Sequence, residues 1–95
     1  MDNPFPFHTD IEELQIMSFY HKAIIPFHDY VILAVWHGWS PGCYFSFAIY
    51  RSASVPVQID TPLSLLSASV HTFDDMGDAV KAAFREIEKN KKEGA

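Results

Sequence analysis

Tyr30 to Trp36 is an unbroken apolar run, and Tyr44 to Tyr50 is interrupted only by Ser46. Both stretches are β-branched and aromatic, flanked by turn formers, and too short for typical helices. They predict strands over Tyr30–His37 and Tyr44–Arg51. The intervening Gly38-Trp39-Ser40-Pro41-Gly42 suits a hairpin loop, so the two strands should pair antiparallel. Alternation sets Val31, Leu33 and Val35 on one side of the first strand and Tyr30, Ile32, Ala34 and Trp36 on the other. In the second, Phe45, Phe47 and Ile49 oppose Tyr44, Ser46, Ala48 and Tyr50. The hairpin is therefore apolar on both faces.

Around this hairpin the pattern changes period. Phe73, Met76, Ala79, Val80, Ala83, Phe84 and Ile87 recur at helical spacing, and lysines 89, 91 and 92 follow where cations suit the helix dipole. A helix is predicted over Asp74–Asn90, with Glu93-Gly94-Ala95 fraying. Gly77 costs up to about 1 kcal/mol inside a helix, which leads one to expect close packing of that turn on the sheet. Leu65–Thr72 alternates Leu66, Ala68 and Val70 with Ser67, Ser69 and His71, predicting a third strand that is polar on one face. Ser52–Pro62 carries two prolines and reads as a loop or an irregular edge segment.

The N-terminal third is more ambiguous. Pro4-Phe5-Pro6-Phe7 favours an extended arm over residues 1–8, docked through its Phe rings. Thr9-Asp10-Ile11-Glu12 has capping-box spacing, and Ile11, Leu14 and Met17 continue at helical intervals, predicting a helix over residues 10–21. Gln15–Tyr20 also fits an alternating strand. The fold class expected is α+β: an antiparallel sheet of three or four strands, in the order helix-strand-strand-strand-helix, with the C-terminal helix on one face.

Composition narrows the class without choosing a function. Ninety-five residues, 48% hydrophobic and 15% aromatic, are expected to form a single domain with an ordinary core. A formal charge of −5 has the wrong sign for counterion-release binding, so no nucleic-acid role is expected. The longest apolar run is too short to span a bilayer, and neither a membrane role nor a signal peptide is expected. Cys43 is the single cysteine, which excludes an internal disulfide and favours a reducing, cytoplasmic location.

Candidate chemistry is sparse. The five histidines (His8, His21, His28, His37 and His71) show none of the two-, three- or four-residue intervals at which one element presents two metal ligands. No metal or other cofactor is expected. Cys43 with His37 or His71 has the residue types of a thiolate and its base, yet no motif supports them and a half-buried hydrophobe is the plainer reading. Glu12-Glu13 and Asp74-Asp75 fall in predicted first helical turns, where acids suit the dipole. No enzymatic activity is expected.

The most unusual local feature is Trp36-His37-Gly38-Trp39 with Tyr44, Tyr50 and Arg51 nearby. Trp and Tyr join a large apolar body to a polar handle, which suits interfaces and pockets. The leading expectation is a non-enzymatic interaction protein that forms a homodimer, or binds another protein, through the sheet face its own helices leave bare. Two alternatives stand beside it. One is a small-molecule pocket lined by Trp36, Trp39, Tyr44 and Tyr50, with His37 or Arg51 as the polar anchor. The other is an acidic inhibitor of a basic, nucleic-acid-binding enzyme, of the kind found as immunity or phage and mobile-element antagonist proteins.

Overall fold

The computed structural model describes residues 5–17, 22–37, 44–69 and 72–94. In chain order its elements are β1 (His8–Thr9), α1 (Ile11–Ile16), β2 (Lys22–Phe27), β3 (Tyr30–His37), β4 (Tyr44–Ser52), β5 (Leu63–Ala68) and α2 (Met76–Gly94). The strands form one antiparallel sheet in the order β1-β5-β4-β3-β2. Strands β2 to β5 are thus a meander, and the chain crosses from β1 at one edge to β2 at the other. The architecture is α+β, with five strands rather than three or four and the C-terminal helix packed on the sheet.

The two-sided apolar hairpin has an intramolecular explanation. Val31, Leu33 and Val35 of β3, Ala48 and Tyr50 of β4 and Leu63 of β5 pack under Phe5 and Leu14, with Ile11 and Met17 at the margin. On the opposite face Tyr30, Ile32, Phe47 and Ile49 pack under Ala83 and Ile87 of α2, flanked by Phe73 and Phe84. A central strand covered on both sides has no polar face to show, so β3 from Tyr30 to Val35 is wholly buried. The arm covers its face through Phe5 alone among the described phenylalanines there, because Phe7 is exposed. Tyr50 fixes the arm by donating its hydroxyl to the carbonyl of Pro6 at 2.8 Å, and burial pushes that phenol up to about 12.

Several boundaries depart from the sequence pattern for identifiable reasons. The first helix is only six residues long, ending at Ile16 with Met17 extended, and residues 18–21 of the expected helix lie outside the described residues. Its N-cap is Asp10 rather than Thr9: Asp10 Oδ1 accepts from the Glu13 amide at 2.8 Å, while Thr9 pairs with Leu63 in β1. The amide of Glu12 is satisfied by the Ile59 carbonyl at 3.1 Å, a tertiary partner no local pattern reveals.

Strand β2 is absent from the sequence expectation. Pro26 marks a break when read locally, yet it sits on the outermost strand, where a missing backbone donor is tolerated. A two-residue turn then joins β2 to β3. His28 adopts φ 56° there and Asp29 does not, as in a type II′ turn. Arg51 Nε donates to Asp29 Oδ2 at 2.7 Å, and the Ser52 amide to the Asp29 carbonyl at 2.7 Å, tying the turn to β4.

In β5 the expected alternation slips. A bulge between its pairings with Ile49 and Tyr50 leaves Leu66 unpaired and exposed, while Leu63 and Leu65 turn inward. The third strand therefore spans Leu63–Ala68 instead of Leu65–Thr72. Phe73 rejoins the sheet as an isolated bridge to Phe45. The helix α2 starts two residues later than expected, with the Asp75 carbonyl accepting from the Ala79 amide, and runs on to Gly94. Gly77 does not pack on the sheet: it is exposed, and an added Cβ would meet the Asp75 carboxylate. Residues 38–43, expected as the hairpin loop and including Trp39 and Cys43, lie outside the described residues, as do His21, Val70 and His71.

Candidate functional site

The register of β3 with β4 divides the residues that the sequence singles out. Trp36 opposes Phe45 and His37 opposes Tyr44, so neighbouring candidates point to opposite faces. His37, Tyr44 and Tyr50 belong to the face under the N-terminal arm; Trp36 and Arg51 belong to the face under α2. The expected pairing of Trp36 with Tyr44 and Tyr50 on one surface is not realised. Tyr50 is fully covered by the arm, and Arg51 lies with its guanidinium 5.2 Å from the Tyr30 ring centre. Trp39 is outside the described residues.

His37 and Tyr44 do come together. Their rings stack with centres 4.6 Å apart and planes 14° from parallel, and His37 Nε2 lies 2.7 Å from Ser46 Oγ. Burial holds the imidazole below its ordinary value, so it is neutral near pH 7, with the hydrogen-bond direction set by its tautomer. A serine and a histidine in contact have the types of a nucleophile and its base. Here Ser46 is buried within β4, and the bond supplies a partner for a hydroxyl that would otherwise be costly to bury. Among the described residues no group of three His, Cys, Asp or Glu side chains converges as a metal site, and no helix is long and apolar enough to cross a membrane.

A cleft of about 290 Å³ opens between the end of β5 and the flank of α2. Phe47, Ser67, Ala68, Ser69, Phe73, Ala82 and Glu86 line it. Its origin lies in residue size. The α2 residues pressed into the core are Ala79, Ala83 and Ile87, spaced four apart. The adjacent row, Ala82 and Glu86, faces the small side chains of β5, and small residues on both walls leave a gap that larger ones would close. The Phe47 and Phe73 rings, 6.0 Å apart and tilted by 32°, form the apolar end.

The polar atoms of the cleft are only partly engaged. Ser69 Oγ accepts from the Phe47 amide at 3.1 Å, which leaves its hydroxyl proton to donate. The side chains of Ser67 and Glu86 form no hydrogen bond or ion pair with the described residues. An aromatic wall, two hydroxyls and a carboxylate make a ligand-sized space of mixed character, at the small end of the roughly 300–1,000 Å³ usual for small-molecule sites. A family model described as nucleotide modification associated domain 4 matches residues 5–87.

The chain belongs to that family. Among the described residues, Phe5 is the first buried side chain of the arm and Ile87 the last of α2, and both lie at the limits of the match. All five strands, both core clusters and every residue lining the cleft fall within the nucleotide modification associated domain 4 match. No curated protein and no solved structure matches the chain.

Sequence reasoning missed the cleft because its residues are individually ordinary. The available signal was the pair of small residues Ser67 and Ser69 across from Ala82 on the helix. That signal becomes legible only once the two elements are known to be neighbours.

Proposed function

We propose that this chain is a non-enzymatic, cytoplasmic accessory domain of nucleotide modification that binds a ligand of nucleobase size between β5 and α2. The observation that carries the reading is the cleft itself, with two aromatic rings at one end and unengaged polar groups along its walls. The family description supports the association with nucleotide modification. Glu86 is the single ionisable side chain among the described lining residues, whereas acid–base or nucleophilic catalysis calls for a matched pair of groups. The lone cysteine supports a reducing compartment.

The test is a titration of free nucleosides followed by amide shifts, with Ala82→Phe as the blocking variant. Shifts centred on Ser67, Ser69 and Phe73, and lost in a folded Ala82→Phe protein, support the reading. Absence of binding by any nucleoside refutes it.

A second reading, self-association, is favoured by β2. Among the described residues this six-residue edge strand pairs with β3 alone, and such edges are templates for strand addition wherever, unlike at Pro26, an amide remains to donate. Light scattering that shows a strict monomer at high concentration removes this reading.

A further inference from the structure

The chemistry of the cleft narrows its ligand beyond size. Glu86 brings a carboxylate, which when ionised only accepts hydrogen bonds and does so through two oxygens side by side. Its best complement is a pair of adjacent N–H donors on one planar edge. Among the common bases only guanine presents this, through its ring imino group and the neighbouring exocyclic amine. Adenine and cytosine set an amino donor beside a ring nitrogen acceptor, and uracil or thymine flanks one imino donor with two carbonyls. Each of these would place an acceptor against the carboxylate.

The remaining walls agree. The hydroxyls of Ser67 and Ser69 are able to donate to a carbonyl, and the Phe47 and Phe73 rings suit the faces of a flat heterocycle. No Lys or Arg is among the described lining residues, and the chain carries a formal charge of −5, so the described walls offer a phosphate no cation. We propose that the cleft is a guanine-selective site in which Glu86 receives the two N–H groups of the base, and that recognition is of the base rather than of its phosphate. This rests on the cleft being the ligand site.

The experiment is calorimetric titration of the whole chain with guanosine, inosine, adenosine and 5′-GMP, repeated on Glu86→Gln. A bidentate pair is worth about 1–3 kcal/mol of discrimination, so guanosine should bind about 5- to 150-fold more tightly than adenosine, with inosine, which lacks the exocyclic amine, between them. Guanosine and 5′-GMP should bind alike. Glu86→Gln replaces two acceptors by an acceptor and a donor, the complement of adenine, and should shift preference from guanosine toward adenosine.

Equal binding of guanosine and adenosine by the unaltered chain overturns the proposal while the cleft remains a ligand site. So does an unchanged preference in a Glu86→Gln protein of native thermal stability, or a much tighter 5′-GMP. Failure of every nucleoside to bind removes the cleft reading and this proposal together.

Discussion

Leu14 offers the sharpest test of how the face beneath the arm is covered. It is the single buried residue of α1, at 0% exposure, and shares a core cluster with Val31, Leu33, Val35 and Tyr50. A six-residue helix does not persist alone in water, so this contact and the Asp10 cap hold the segment in place. Leu14→Ala removes three buried carbons. At about 0.8 kcal/mol per methylene the transfer loss is about 2.4 kcal/mol, and incomplete collapse around the gap raises it to about 3 kcal/mol. In a domain of this length that lowers the melting temperature by about 12–24 °C.

Ile16, two residues further on, is 78% exposed, and Ile16→Ala should stay within about 0.5 kcal/mol of the unaltered protein. The assay is urea unfolding of the two variants side by side, with light scattering to register any association through the uncovered sheet face. A Leu14→Ala loss below about 1 kcal/mol, or an Ile16→Ala loss as large as that of Leu14→Ala, would refute the view that the arm and α1 complete the core.

Other consequences follow from single positions. Gly77→Ala should stabilise by up to about 0.5 kcal/mol in thermal unfolding, because the added methyl meets only the movable Asp75 carboxylate, 2.9 Å away; destabilisation would show that this turn is more constrained than its exposure implies. His28→Gly should be neutral or stabilising by up to about 1 kcal/mol, since φ 56° strains a residue with a Cβ while glycine adopts it freely. A clear loss in chemical denaturation would contradict that. The lowered His37 pKa means that the unfolded chain takes up the proton first as acid is added. Its contribution is therefore present above 6.5, the ordinary histidine value, and lost as pH falls through it toward the depressed folded value. Melting curves between pH 7.5 and 5 should fall less steeply for His37→Asn than for the unaltered chain, and identical slopes would exclude this role.

Local pattern was sufficient for β3, β4 and α2, whose apolar periods are long and whose burial follows the alternation of their side chains. It was sufficient, too, to show that the hairpin is apolar on both faces. Which elements supply the cover is not a local property. Leu14 reaches the Tyr50 face because β1 and β2 occupy opposite edges of the sheet, which carries α1 across it, while Phe5 lies there beside Pro6, whose carbonyl accepts from the Tyr50 hydroxyl. Strand β2 escaped notice because Pro26 reads as a break until its edge position is known, and Leu66 faces outward because a bulge shifts the phase of β5.

The candidate site followed the same division. The aromatic residues around Trp36 stand out in the sequence, yet pairing of β3 with β4 sends Trp36 and Arg51 to one face and His37, Tyr44 and Tyr50 to the other. The cleft, in contrast, is made of residues with no conspicuous chemistry of their own. Two-sided hydrophobicity was determined by the sequence, since side-chain period and residue type are local. The partner of each side, and the gap left where Ser67 and Ala82 meet, were decided by tertiary packing, because both depend on which distant segments the fold brings face to face.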